Sequence, residues 1–461
     1  MLEILKTANN YLYTYVMIGL LIGCGIYFTI RTKGVQFRLI GDSIRLLFRS
    51  GDKPTGKKHV SSFQAFAVSL GSRVGTGNLA GVATAITVGG PGAVFWMWIT
   101  ALLGASTGFM EATLAQLYKR RDRDTFIGGP AYYIERGLGS RVLAVISAVL
   151  IILTFAFGFT LVQCNTIGSA FNSQFGISNM TVGIGVALLL GAIIFGGIQR
   201  IAKVTAVVVP FMAIGYLLVA LVVLVLNIGR IPEALSMIFN SAFGVNQIAG
   251  GVMGAAVMQG VRRGLFSNEA GLGSAPNAAA SASVSHPVKQ GLVQAFGVFI
   301  DTIVICSCTA FILLLSGVDL SGAAGRGIEL TQAALVSQIG PAGSWFITVA
   351  LFFFAFSTII STYYYGEANL RFFTKNKWVM MIFRLAVLAV SVAGTCISME
   401  SAWELTDITM GICGIFNLIA LLVLCPKVIA VLNDYTRQRR SGIKNPQYPD
   451  WWEDHRTGLG D

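Results

Sequence analysis

Two short stretches hold most of the residues with which this chain could do chemistry. SRVGTGNLAGVA, residues 72–83, sets Ser72, Arg73, Thr76 and Asn78 among small residues, and GLFSNEAGLGSAP, 264–276, does the same around Ser267, Asn268, Glu269 and Ser274. Both interrupt sequence that is otherwise apolar. The core formed by Gly75 and Gly77 has the look of a phosphate loop. That chemistry requires a preceding strand, a following βαβ unit and an aqueous domain, and the flanking sequence supplies none of them. The alternative is a helix broken inside a membrane. At such a break one half-helix ends in bare N–H groups that suit a carboxylate, and the other ends in carbonyls that suit a cation. Unwound backbone at membrane depth survives only where protein buries it or it lines a polar cavity. An amino acid's carboxylate and a sodium ion fit this pair of ends. Glycines 71, 75 and 77 allow the backbone geometry and the close approach, and Thr76 and Asn78 add side-chain oxygens. A helix-packing face is the competing account of glycines in an apolar segment, and it is preferred for Gly81 and Gly104.

The elements that must position these residues follow from hydropathy. At 54% hydrophobic and 12% charged, with a mean hydropathy of +0.71, the chain lies outside the range of soluble globular proteins. The fold class expected is an all-α polytopic membrane protein. Apolar stretches of about 20 residues, enough to cross a bilayer, number eleven: 11–30, 63–88, 92–117, 141–166, 180–198, 202–227, 248–285, 291–316, 343–368, 378–398 and 402–425. The first is too long for a signal-peptide core and runs into RTKG without a cleavage-like site, so it counts as a span. All seven cysteines fall in apolar segments and read as small buried residues. The net charge of +12 follows the membrane, not a nucleic acid. Of the 33 lysines and arginines, 26 lie on alternate connections and three (Lys6, Arg230, Arg326) on the opposite set. The positive-inside rule then puts the N-terminus outside and the C-terminus in the cytoplasm, which an odd number of spans satisfies.

With the first span set aside, spans 2–6 and 7–11 form two groups of five, each opened by its broken segment. Five is odd, so the second group enters from the opposite side, the signature of a 5+5 inverted repeat. The boundaries expected are 1–62 for the extra N-terminal span and a basic cytoplasmic loop, 63–227 and 248–425 for the repeats, and 426–461 for a polar cytoplasmic tail. Within the basic loop, SIRLLFRS suits an amphipathic surface helix.

Four motifs together, GTGNLAGVATAITVGGPGAVFWMW (75–98), GGPAYYIERGLG (128–139), GLFSNEAGLGSAP (264–276) and FSTIISTYYYGE (356–367), resemble the alanine or glycine:cation symporter family, also called sodium:alanine symporters. The resemblance runs from about residue 60 to 425. It implies membership of the amino acid-polyamine-organocation superfamily, a leucine-transporter-like fold, and sodium-coupled uptake of a small neutral amino acid. It also implies a sodium held by the carbonyls of Gly71, Val74 and Phe354 and the hydroxyls of Ser357 and Thr358. Oxygen ligands without formal charge suit a hard monovalent ion. Without the family, hydroxyls bonded back to their own helix would be the preferred account of Ser357 and Thr358. The substrate carboxylate is expected at the N–H groups of Gly75, Thr76 and Gly77, with Ser72 near the amine. Gln163 resembles a substrate-contacting glutamine, with a helix–helix hydrogen bond as its other reading, and Asn277 could face the same cavity.

Two features depart from the family pattern. Thr362 stands where small-substrate members are expected to carry a bulky aromatic, so glutamine joins alanine and glycine as a candidate substrate. Arg73 lies among the ion ligands, where an intramembrane arginine calls for a carboxylate; Glu269 and Asp301 are the candidates, with Glu111 and Glu367 nearer the cytoplasmic ends. Arg262 and Arg263 are expected in the outer vestibule or at the interface. A proton-coupled symporter, with Glu269 or Asp301 carrying the ion, is the alternative function. A channel lacks the repeated filter-like segments it would need. An enzyme is set aside because the three histidines (59, 286, 455) lie in loops or at segment ends and neither HExxH nor GxSxG occurs. No cofactor is implied beyond the co-transported sodium. The partners expected are the amino acid, the ion and the lipid bilayer, with no nucleic acid and no obligatory protein.

Overall fold

Lipid offers no hydrogen bonds, so apolar sequence of this kind closes its backbone bonds within helices. The computed structural model describes residues 2–48, 60–122, 125–244, 250–320 and 327–448. Nearly all of them are helical; a two-stranded hairpin, Arg120–Asp122 with Thr125–Ile127, accounts for the paired strands described. Among the described residues, eight helices are long and apolar enough to cross a membrane: Leu2–Arg31, Gly92–Leu117, Arg141–Phe175, Gly197–Leu226, Pro287–Leu315, Ala342–Phe373, Lys377–Cys396 and Met399–Arg440. The other three of the eleven expected spans differ from these for local reasons. Asn179–Ile194 is a shorter apolar helix of 16 residues, and the other two are the interrupted segments.

The first interruption is narrow. Ser61 and Gln64 form a capping box that starts the Ser62–Arg73 helix; the chain unwinds at Val74 and Gly75, then resumes through a wide π turn, Gly77–Gly81, into Val82–Gly89. The second is wider. Gly250–Asn268 ends at a six-residue unwound stretch, Glu269 to Ser274, before the short helix Ala275–Ser281. The basic-side halves of the two broken segments lie together. Val60 bridges Ala282, the Ser283 N–H donates to Val60 O at 3.1 Å, and Gln290 donates to Ser62 Oγ at 2.6 Å. The last carbonyls of the short helix take donors from the neighbouring span, with Gln116 and Lys119 each 3.0 Å from Ala282 O.

Within the basic loop, Ile40–Phe48 is helical and is held to the last helix by an ion pair between Asp42 and Arg439 at 2.8 Å. That last helix continues past 425 to Arg440, and residues 441–448 fold back so that the Tyr448 N–H reaches Ser285 O at 2.8 Å. The polar tail expected beyond 426 is therefore packed as far as 448, and 449–461 lie outside the described residues.

Candidate functional site

Ser357 and Thr358 sit midway along the Ala342–Phe373 helix, against the end of Ser62–Arg73. Both are buried. Thr358 Oγ1 lies 3.0 Å from Gly71 O, 3.1 Å from Ser72 O and 3.1 Å from Phe354 O. Ser357 Oγ lies 3.2 Å from Gly71 O and 2.9 Å from Phe354 O. Two hydroxyl protons face three carbonyls, so five uncharged oxygens converge with more lone pairs than donors. Gly71, Phe354, Ser357 and Thr358 are thus brought together, and the Ser72 carbonyl joins them. Val74 stands at the unwinding itself, with φ −79° and ψ 86°, its N–H still bonded to Leu70 O at 2.8 Å.

Directly beyond lie the donors expected for a carboxylate. The Thr76 N–H donates to Gln163 Oε1 at 3.0 Å and the Gly75 N–H to Asn78 Oδ1 at 2.9 Å, while Thr76 Oγ1 is buried and has no hydrogen-bond partner among the described residues. A Cβ on Gly75 would run into Thr358 Oγ1 and stand 2.9 Å from Gln163 Oε1. One glycine therefore joins the hydroxyl cluster to the amide cluster. Gly77 packs on the other broken segment, where a Cβ would be 3.0 Å from the Phe266 ring and 3.2 Å from Ser267 Cα.

Three expected residues turn elsewhere. The Ser72 hydroxyl donates to Glu269 at 2.5 Å. Asn277 donates to Gly273 O and Ser274 O at 2.9 and 2.8 Å and accepts from Asn369 at 2.8 Å, which ties the second break to the Ala342–Phe373 helix. Thr362 bonds back to Thr358 O at 2.9 Å, one turn from the hydroxyl cluster.

Sequence reasoning missed how carboxylates join the two breaks. Glu269 adopts φ +55°, a left-handed conformation that a non-glycine residue reaches rarely and that clusters at functional sites. There it accepts from Ser72 of the first break and from Ser274 of its own, both at 2.5 Å. Asp301 accepts from Asn78 of the first break at 2.7 Å and from Ser267 beside the second at 2.8 Å. Glu111 takes the Gly273 N–H at 3.1 Å and Asn417 at 3.0 Å. Arg73, fully buried, donates to Gln294 O at 3.0 Å and forms no ion pair among the described residues.

An aromatic roof closes the end away from the basic loops. Phe159 stacks on Phe266 at 4.4 Å, and Phe266 meets Trp403 at the same centroid distance. Arg263 lies over Trp403 at 4.2 Å and pairs with Asp407; Arg262 reaches Asp407 at 3.2 Å and Glu404 at 3.6 Å. Phe159 precedes Gln163 by one helical turn, a spacing that puts both on one face. Trp403 and Asp407 carry no such local signal.

The model of the sodium:alanine symporter family matches residues 1–449. The chain belongs to that family. It is a multi-pass membrane transporter and not an enzyme. Among relatives within the family, the probable sodium/glutamine symporter GlnT of Bacillus subtilis (strain 168) is 48% identical over 98% of this chain and 94% of its own. The sodium/alanine symporter AgcS of Methanococcus maripaludis is 39% identical over 96% of this chain and 99% of its own. A solved structure, MhsT in complex with L-phenylalanine, superposes with a TM-score of 0.58 at 13% identity, covering 82% of this chain and 99% of the other. At that identity the likeness speaks for the fold alone, which is leucine-transporter-like.

Proposed function

We propose that this symporter-family member couples entry of sodium to entry of a small neutral amino acid, glycine, alanine or glutamine, by alternating access. The carrying observation is the position of Gly75, wedged between Thr358 and Gln163. The oxygens suited to the ion and the N–H groups suited to the carboxylate thereby share one turn of backbone. Sodium is assigned to Gly71, Val74, Phe354, Ser357 and Thr358, with the Ser72 carbonyl added. The carboxylate is assigned to Gly75, Thr76 and Gly77, with Gln163 turning its amide from Thr76 toward the substrate. The aromatic roof favours a side chain without charge. Thr362, smaller than an aromatic, and the likeness to a relative named for glutamine both favour including glutamine.

The arrangement in the membrane belongs to the same proposal: eleven spans, two inverted groups of five, the basic loops in the cytoplasm of a cell membrane and the aromatic roof facing outward. Proton coupling is the second reading, favoured by Glu269 and Asp301, buried carboxylates that each bridge the two breaks. The test is uptake of labelled alanine into proteoliposomes, with glycine, serine and glutamine as competitors. Accumulation driven by an inward sodium gradient is the expected result. Accumulation driven by a pH gradient in sodium-free potassium medium would replace sodium with the proton.

A further inference from the structure

At the basic end of the bundle, apart from both breaks, a cavity of about 450 Å³ opens between three elements. The Arg120–Asp122 hairpin contributes Arg120 and Arg121, and the start of the Arg141–Phe175 helix contributes Arg141. The junction of Ala342–Phe373 with Lys377–Cys396 contributes Arg371, Lys375, Lys377 and Arg384. Among the described residues, three carboxylates pair with cations of this group. Asp122 and Glu367 hold Arg371 at 2.8 and 2.6 Å, and Glu135 pairs with Arg141. Lys375 and Lys377 are exposed at its edge.

The same wall is apolar elsewhere. Phe372, Met380 and Met381 line it, with the Arg141 guanidinium 4.2 Å over the Phe372 ring. Immediately beside it, Val142, Trp378 and Ile382 are 69%, 77% and 65% exposed on helices apolar enough to cross the membrane, so this surface meets lipid. A basic hollow continuous with a lipid-facing apolar flank matches an amphiphile with an anionic head. A basic pocket between spans on the cytoplasmic side is a recognised setting for such headgroups, and the volume falls in the range of about 300–1,000 Å³ typical of ligand clefts.

We propose that this cavity binds the phosphate headgroup of an anionic phospholipid, whose acyl chains lie along Val142 and Ile382. The test uses the full-length protein in neutral detergent, titrated with phosphatidylglycerol, phosphatidylcholine or soluble glycerol 3-phosphate while Tm is followed. Phosphatidylglycerol is expected to raise Tm saturably, and phosphatidylcholine and glycerol 3-phosphate are not. Each cation near an anionic headgroup is worth a factor of about five in affinity. Combining Lys375→Gln with Lys377→Gln therefore weakens the response roughly thirtyfold. Lys33→Gln with Lys444→Gln, which removes equal charge elsewhere on the basic side, leaves it intact. An equal rise with phosphatidylcholine, or an unchanged phosphatidylglycerol response in the Lys375/Lys377 variant, would overturn the proposal. A rise with glycerol 3-phosphate matching that with phosphatidylglycerol would overturn the lipid as its source.

Discussion

Replacing Thr358 by alanine removes the hydroxyl that touches the carbonyls of Gly71, Ser72 and Phe354 at 3.0 to 3.1 Å. With sodium bound, that oxygen is one of five or six ligands, and the others are left in place. An interaction with a charged group is worth about 1.5–3 kcal/mol, which is roughly 10- to 150-fold in affinity. Ser357 and the backbone oxygens can close in partly, so the half-saturating sodium concentration for uptake is expected to rise roughly 10- to 100-fold. Thr358→Ser keeps the oxygen and is expected to stay within about threefold of wild type.

A second readout separates ligand loss from misfolding. At sodium a hundredfold above Kd, binding stabilises the folded protein by about 2.7 kcal/mol; after a hundredfold weakening, the same concentration gives only about 0.4 kcal/mol. The sodium-induced rise in Tm should therefore nearly vanish in Thr358→Ala and persist in Thr358→Ser, with potassium as the reference salt. The sodium-free Tm of Thr358→Ala falls separately, because Gly71 O and Ser72 O lose a buried donor. A folded Thr358→Ala protein with wild-type sodium dependence of both uptake and Tm would refute the assignment.

Gln163→Ala takes the acceptor from the Thr76 N–H and is expected to weaken substrate about tenfold or more while moving sodium half-saturation less than threefold, read by competition uptake. Gly75→Ala places a methyl against Thr358 and Gln163; it is expected to abolish uptake in protein that still inserts and purifies, and wild-type transport by this variant would refute the shared-glycine geometry. His286, outside the spans, is buried with Nδ1 accepting the Val288 N–H at 3.2 Å, and burial lowers its pKa from 6.5 to about 4. The unfolded chain binds that proton first, so stability is full above about pH 6.5 and declines as pH falls toward 4. His286→Gln should flatten the Tm–pH slope in that window.

The breaks were legible because small and polar residues inside apolar sequence are a local signal. Their widths were not. Glycines at 264, 271 and 273 with Asn268 and Glu269 offered several places to unwind, and the choice at 269–274 rests on distant partners: Glu111 holds the Gly273 N–H, and Ser72 holds Glu269. Ser357 and Thr358 show why a hydroxyl pair is ambiguous in a sequence. Both bond back to Phe354 O of their own helix and reach the opposing Gly71 O as well, so either reading describes part of the geometry. The roof was not legible. Arg262 and Arg263 demanded a carboxylate, but Asp407 lies 144 residues from Arg263 and no spacing rule links them.

Arg73 is the residue whose surroundings bear most directly on cation binding. Among the described residues it is the largest fully buried side chain and two of its nitrogens make no hydrogen bond, and it packs where a Cβ on Gly297 would come within 2.5 Å of its Nη1. Glu111, Glu269 and Asp301 are each held by neutral hydroxyls, amides or backbone N–H groups. If all three carboxylates are ionised, the region carries two net negative charges, and a cation arriving at Gly71 and Ser72 offsets one. Arg73→Gln removes the resident positive charge and leaves the carboxylates. It also removes the donor to Gln294 O, so the sodium-free Tm should fall. Sodium then no longer meets repulsion from a guanidinium two residues past Gly71. The sodium-induced rise in Tm should consequently exceed that of wild type, in contrast to Thr358→Ala, where it disappears. A smaller rise in Arg73→Gln would mean that Arg73 organises the ion's ligands instead of opposing the ion, and the electrostatic account of the cluster would fail.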